Sequence, residues 1–345
     1  MRKKIILLAV TVVVVFMLIA SVFVYISYQA YFKPAISDKA PEYLYVYTGT
    51  SYDDLLLQIE NQQLLREPKD FERLAKYKKL SRKFYPGKYK IEKEMSVNDL
   101  INKLRSNNQE EVSLIFNNIR SKEQLAERIS TQLEMPSQDL LDLLNDNTFL
   151  KSYGFDSVNV LSMFLPNTYG FWWNTSAKGF MERMYKEYTK YWTQVRLSQA
   201  EKIGLTPIEV SILASIVEEE NHRKDEQAKI AGLYMNRLHK GMLLQADPTV
   251  RYALGDMAIK RLLYKDLEVD SPYNTYKHVG LPPGPIRMPA IHALEAVLYY
   301  EKHAYLYMCA KEDFSGYHHF AVSASQHAVN AAKYHRALNR KKLYR

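Results

Sequence analysis

A chain of 345 residues, 47% of them hydrophobic, can bury a sizeable core and form two or three domains. Forty-seven lysines and arginines against 38 aspartates and glutamates leave a net charge of +9, which suits an anionic partner. The lone Cys309 excludes an intramolecular disulfide, and the absence of a phosphate loop, a dinucleotide fingerprint and a Gly-x-Ser-x-Gly elbow removes the NTPase, dehydrogenase and serine hydrolase readings.

Residues Ile5 to Ile26 are nearly all apolar and carry no charge. As a helix this run spans about 33 Å, enough to cross a bilayer. Arg2, Lys3 and Lys4 precede it, so the positive-inside rule puts the N-terminus in the cytoplasm. Tyr25, Tyr28, Tyr31 and Phe32 suit the far interface. The run is too long for a cleaved signal peptide, and no small-x-small site follows it closely. We therefore expect a cytoplasmic tail over 1–4, a single-pass transmembrane helix over 5–28, and a linker over 29–41 containing Pro34 and Pro41. The remainder is then extracytoplasmic (periplasmic) and tethered to the cell (inner) membrane. The positive excess is diffuse, its one long basic run being Arg340 to Arg345. With no aromatic-basic module in view, the cell wall and lipid head groups are the expected anionic partners, and nucleic acid is not.

A strand-then-helix pattern follows three times. Tyr43–Tyr47 precedes Ser51, with Leu55 and Ile59 behind it; Tyr89–Ile91 precedes Ser96, with Leu100 and Leu104; Val112–Phe116 precedes Ser121, with Leu125 and Ile129. Each reads as a strand and an N-capped amphipathic helix. Ser137 to Asn147 is helical in pattern. Phe171, Trp172 and Trp173 could stack on sugar faces, although buried aromatic core is the commoner use. Residues 176–203 read as one long helix.

The best-marked element is the helix from Thr206 to Asn221. Thr206 is a good N-cap, Pro207 suits the first helical position, and Glu209 completes a capping box. Val210, Leu213, Ala214 and Val217 make one apolar face, while Ser211, Ser215 and Glu219 fall on the polar side. Glu218 sits at the edge of the apolar arc and Glu220 points into it. A carboxylate half-sunk in an apolar wall has its charged form disfavoured, which is how a general acid is made. Helix geometry alone leaves the choice between Glu218 and Glu220 open.

Beyond this helix, Gln245, Asp247, Thr249, Asn274, Thr275 and Tyr276 lie in turn-prone stretches. Loops on a rigid scaffold are where binding groups collect, and Gln, Asn and Thr suit sugar hydroxyls and acetamides. His318, His319 and His327 lie close in sequence, but neither His-Glu-x-x-His nor paired-cysteine spacing accompanies them, so no metal and no cofactor is expected.

The Leu213-Ala-Ser-Ile-Val-Glu218 run, Gly232-Leu-Tyr-Met-Asn-Arg-Leu238, Gly241 to Val250, Ser271-Pro-Tyr-Asn-Thr-Tyr276 and Gly280-Leu-Pro-Pro-Gly-Pro-Ile286 together resemble the MltG (YceG-like) family of endolytic murein transglycosylases. His318-x-Phe320 followed by His327 is similar to the family's C-terminal block, with Ala328 where the family tends to have Asn. Leu161 to Tyr169 departs from the family: Ser162 and Met163 replace Glu-Gly, and Asn167 replaces Asp. The resemblance implies an α+β fold, with a small LysM-like α+β region over 42–135 and a mixed α/β YceG-like catalytic domain over 136–345. It further implies a lytic transglycosylase that cleaves the MurNAc-GlcNAc β-1,4 bond within peptidoglycan strands, leaving 1,6-anhydroMurNAc ends. Because the family motif puts the acid directly after Ile-Val, Glu218 is the expected acid then base. Gln245, Asp247, Thr249, Asn274, Thr275, Tyr276, Glu220 and His318 are then the expected substrate-binding residues. Cell-wall synthases are candidate protein partners. Two other readings stay open: a non-catalytic, membrane-tethered wall-binding scaffold whose Glu cluster is structural, and a hydrolase using Glu218 with water.

Overall fold

The computed structural model describes residues 2–259 and 262–340, so all of the basic run 340–345 except Arg340 lies outside the described residues. Helix α1 (Arg2–Phe32) contains a stretch, Ile6–Ile26, that is long and apolar enough to cross a membrane, and none of that stretch is buried by protein. The chain then forms two compact units. The smaller runs to Ser113 and takes back 132–134 and 170–175; the larger comprises 114–131, 135–169 and the chain from Ser176 onward.

In the smaller unit, β1 (Tyr43–Val46) precedes α2 (Tyr52–Asn61) and α3 (Pro68–Tyr77), and β2 (Gly87–Lys90) precedes α4 (Val97–Ser106). The strands pair antiparallel, Tyr43 with Lys90 through Val46 with Gly87. Alternation is strict: Leu44 and Val46 are fully buried while Tyr43 and Tyr45 are partly exposed, as a pleat with one covered face requires. Both helices start where their serines predict. The Ser51 hydroxyl accepts from the Asp54 N–H, and Ser96 forms a reciprocal capping box with Asp99. Leu55, Ile59, Phe71, Leu74, Leu100 and Leu104 complete the core. Of the three adjacent aromatics, Phe171 and Trp173 are buried, and Trp173 meets Tyr45 and Tyr47 edge-on at 4.9 Å. Trp172 alone is exposed.

The segment expected as a linker is woven into this unit. Ile36 is 3% exposed and bridges Leu65; the Ala35 N–H donates to the Met95 carbonyl (2.9 Å) and the Arg66 N–H to the Ala35 carbonyl (2.9 Å). Two prolines signal a turn-rich segment, but an apolar Ile36 needs somewhere to be buried, and the unit supplies it.

The remaining elements are β3 (Glu111–Phe116), α5 (Lys122–Ser130), α6 (Ser137–Asn145), α7 (Asn147–Lys151), β4 (Asn167–Trp172), α8 (Ala177–Tyr191), α9 (Gln194–Lys202), α10 (Pro207–Glu220), α11 (Lys224–His239), α12 (Asp247–Ala253), α13 (Ile291–Leu298), β5 (Tyr307–Ala310), β6 (His318–Ala321) and α14 (Ala324–Arg340). β3 pairs with β4, and β5 antiparallel with β6. The expected long helix over 176–203 is two helices. Trp192 leaves helical geometry to bury its ring, and Thr193 turns to extended backbone and caps α9. Local capping there outcompetes helix continuation.

The larger unit is built round α10, which packs against α9, α11, α12 and α13. Its expected polar face is not solvated: Ser211 and Ser215 are as buried as Val210, Leu213, Ala214 and Val217. The Ser215 hydroxyl donates to the Ile212 carbonyl (2.7 Å) and accepts from the Ile286 N–H (3.1 Å), so its polarity is used internally. In the middle of α11, a Cβ on Gly232 would run into the Glu301 carbonyl oxygen and His303 Nε2. In an open helix Gly→Ala gains up to ~1 kcal/mol. Here overpacking reverses the sign, so Gly232→Ala should destabilise by about 1–3 kcal/mol. Thermal unfolding of the detergent-solubilised chain should show it as a melting temperature lower by about 2–4 °C per kcal/mol.

Candidate active site

Helix α10 ends in three consecutive carboxylates, and the fold gives each a different environment. Glu218 is 7% exposed and turned into the interior, where its Oε2 accepts from the Ala290 N–H at the start of α13 (2.7 Å). Arg287 Nη2 lies 3.4 Å from its other oxygen. A carboxylate at a helix N-terminus satisfies an orphan N–H and meets the positive end of the dipole. Glu219, expected on an exposed face, is bonded by Arg120 Nη2 and Arg287 Nη1, both at 2.7 Å, and its side chain is 8% exposed. Arg287 also reaches Asn118 Oδ1 (3.1 Å). A cleft of about 920 Å³ in the larger unit is lined by Glu219 and Glu220 but not by Glu218, and of the two lining carboxylates Glu219 is the one paired with Arg120 and Arg287.

The Glu220 carboxylate accepts a hydrogen bond from the Tyr234 hydroxyl at 2.6 Å. Burial pushes its pKa up to about 7, and nearby Asp247 adds to the rise; the Tyr234 hydrogen bond and the positive charges of His318 and Arg251 oppose it. Tyr234 is itself held far above its ordinary value, by burial first and by Glu220 second. Its proton therefore stays on the phenol and points at the carboxylate.

One wall of the cleft is the turn before α12. Gln245 adopts a left-handed φ of 52° and donates its N–H to the Thr275 carbonyl (3.0 Å), while its side-chain oxygen accepts from Arg237 Nη1 (3.2 Å). Asp247 accepts from the Tyr276 hydroxyl at 2.6 Å. Gln245, Asp247 and Tyr276 all line the cleft. Thr249, Asn274 and Thr275 do not; they are buried beneath it. Thr275 Oγ1 accepts from the Ala246 N–H (2.9 Å) and meets Thr249 Oγ1 (2.9 Å), and Asn274 Nδ2 donates to the Leu267 and Val269 carbonyls, both at 2.8 Å. These three hold the loop that carries the others.

His318 lines the cleft on β6 with its Nδ1 2.7 Å from Glu226 Oε2 and its backbone N–H donating to Glu226 Oε1 (3.0 Å). Burial alone would raise the Glu226 pKa, but the bonds from His318 and from Asn221 Nδ2 (2.5 Å) outweigh it and keep the carboxyl low. His319 instead pairs with Glu312 (2.7 Å), and His327 stacks on Tyr307. Among the described residues, no group of three or more His, Cys, Asp or Glu side chains could hold a metal ion. Tyr234, Arg237, Glu226, Arg287 and Arg120 were not singled out by sequence reasoning. The partners of their side chains lie between 5 and 169 residues away in the chain, at separations that carry no periodic signal.

The profile of the YceG-like family matches residues 44–333. The chain belongs to this family. An endolytic murein transglycosylase from Bacillus subtilis (strain 168) is 32% identical to it over 312 residues, covering 85% of each chain. One from Streptococcus pneumoniae serotype 2 (strain D39 / NCTC 7466) is 25% identical over 321 residues. That alignment spans 83% of this chain and 57% of its longer relative. The crystal structure of a yceG-like protein from Listeria monocytogenes superposes with a TM-score of 0.55 at 29% identity, covering 83% of this chain and 98% of that one.

Two stability measurements follow from this YceG-like site. Glu219→Gln should destabilise by on the order of 3 kcal/mol, because Arg120 and Arg287 would lose the charge they share. For Glu220 the folded state favours the protonated form, so its contribution is complete below the ordinary pKa of 4.5 and is lost as pH rises through about 7. Glu220→Gln, neutral throughout, should gain on the parent protein across that window by up to about 3 kcal/mol. Denaturation at pH 4 and pH 8 checks it; an unchanged difference would mean an ordinary carboxyl.

Proposed function

We propose that this protein is an endolytic murein transglycosylase in which Glu220, not Glu218, is the acid and then the base. The observation that carries the reading is that Glu220 lines the cleft, as Glu218 does not, and has no arginine partner, as Glu219 has two, while burial holds its proton affinity near neutrality. An acid that must later act as a base works best with a pKa close to ambient pH. The names of the Bacillus and Streptococcus relatives support the substrate, peptidoglycan.

In the proposed reaction, protonated Glu220 donates to the oxygen joining N-acetylmuramic acid to N-acetylglucosamine, and the bond from that oxygen to the muramoyl anomeric carbon breaks. The resulting carboxylate takes the proton from the muramoyl C6 hydroxyl as that oxygen attacks the anomeric carbon. A 1,6-anhydro ring forms, Glu220 is protonated again, and water is not consumed. Tyr234 holds the carboxyl in place, and Gln245, Asp247, Tyr276 and His318 offer the hydrogen-bonding wall along which the glycan lies. Glu218 serves the fold by anchoring the start of α13. With α1 spanning the membrane and its basic end in the cytoplasm, the cleft acts outside, where the substrate is.

Incubating the purified chain with intact sacculi and analysing muropeptides by mass spectrometry tests this. Anhydro ends are expected; reducing ends would indicate a hydrolase, and unchanged glycan a scaffold. Glu220→Gln should lower turnover by about 10²–10⁴-fold. Glu218→Gln should mainly cost stability, so that the correctly folded fraction keeps most of its rate. The reverse ranking would return the acid to Glu218. Since the protonated form of Glu220 starts the reaction, the parent rate should be level below about pH 7 and fall tenfold per pH unit above it.

A further inference from the structure

From Arg73 to Ile91 the smaller unit contains no carboxylate. Within this stretch, Lys76, Lys78, Lys79, Arg82 and Lys83 fall in eight residues, with Tyr77 among them. All are exposed except Lys78, and Tyr77 is bare to 76%. This segment forms the end of α3 and the turn after it, and the structure fixes where that turn stands relative to α1.

Helix α1 continues past its apolar stretch to Phe32 and packs on α3 and α4, with Tyr31 against the core. The Lys78 ammonium lies 5.6 Å from the centre of the Tyr31 ring, held by Asn102 Oδ1 (2.7 Å) and Asn98 Oδ1. The Ala35–Met95 and Arg66–Ala35 backbone bonds follow at once, so no flexible joint separates α1 from this unit. Tyr31 comes five residues after Ile26, the end of the apolar stretch. Five helical residues rise about 7–8 Å, and the head-group layer on each side of the hydrocarbon core is roughly 5–8 Å deep. Lys78 therefore stands at head-group depth.

We propose that the segment 76–83 is a docking surface for the anionic phospholipid head groups of the membrane that α1 spans. The proposal rests on the membrane reading of α1 and is independent of the chemistry in the cleft. Two features separate the segment from an ordinary solvated face. Its depth is set by a continuous helix, and Tyr77 is an aromatic of the kind that settles at membrane interfaces. Among the described residues no carboxylate forms an ion pair with the segment's lysines or with Arg82: Asp99 bonds in the Ser96 capping box, and Asp70 pairs with Arg73 outside the segment. Clusters of lysine and arginine next to a membrane helix attract anionic lipid, and the attraction is screened by salt.

The full chain in nanodiscs of phosphatidylglycerol mixed with phosphatidylcholine, or of phosphatidylcholine alone, tests this by hydrogen–deuterium exchange. Amides of 76–83 should exchange several-fold more slowly in the anionic discs. The protection should vanish in high salt and in the quadruple variant Lys76→Gln, Lys79→Gln, Arg82→Gln, Lys83→Gln, while exchange in 44–46 of β1 stays unchanged as the control for folding. Equal exchange in both lipids overturns the proposal, and so does protection that appears only on adding a soluble anionic wall polymer to phosphatidylcholine discs. Retention of the chain in membranes after a carbonate wash reports on α1 separately.

Discussion

Arg287 reaches both Glu218 and Glu219, and Arg120 takes a second share of Glu219. Three adjacent carboxylates at the C-terminal end of a helix repel one another and oppose the helix dipole. The arginines remove that conflict for two of them and pin the last turn of α10, and the Ala290 N–H completes the fixation. The third, Glu220, is left facing the cleft with Tyr234 as its only direct hydrogen-bond donor among the described residues. The chemistry proposed for the larger unit rests on that division, which leaves Glu220 in the cleft without an arginine hydrogen-bonded to it.

The wall of the cleft follows the same logic one layer out. Thr249, Asn274 and Thr275 have no surface in the cleft, yet they set the loop on which Gln245, Asp247 and Tyr276 stand. Short polar side chains satisfy the backbone groups of an irregular buried segment that no strand or helix could pair. Their rigidity lets Gln245 keep a left-handed backbone conformation that costs free energy for any residue but glycine. Glu226 plays the equivalent part for His318, tying β6 to the start of α11.

In the smaller unit the same economy of short contacts makes the end of α1 part of the fold. Tyr31, Ile36 and the backbone of Ala35 pack or bond to α3, α4 and the loops beside them. The unit thus has a defined side toward the end of α1, and its basic segment lies on it.

Elements governed by near neighbours in the chain were legible from sequence alone. The apolar run of α1, the serine caps at Ser51, Ser96 and Ser121, and the Thr206–Glu209 capping box are local, since donor, acceptor and period all fall within a few residues. Family membership was legible for a related reason, as its motifs are contiguous blocks. The break at Trp192–Thr193, the burial of Ser211 and Ser215, the packing of Ile36 and the environments of the three glutamates were decided by tertiary structure. On a helix wheel Glu218, Glu219 and Glu220 differ only by 100° steps, and nothing in the chain places Arg120 or Arg287 beside two of them. The long-range arrangement supplies the partner charges and the walls, and it is these that give three chemically identical side chains different environments.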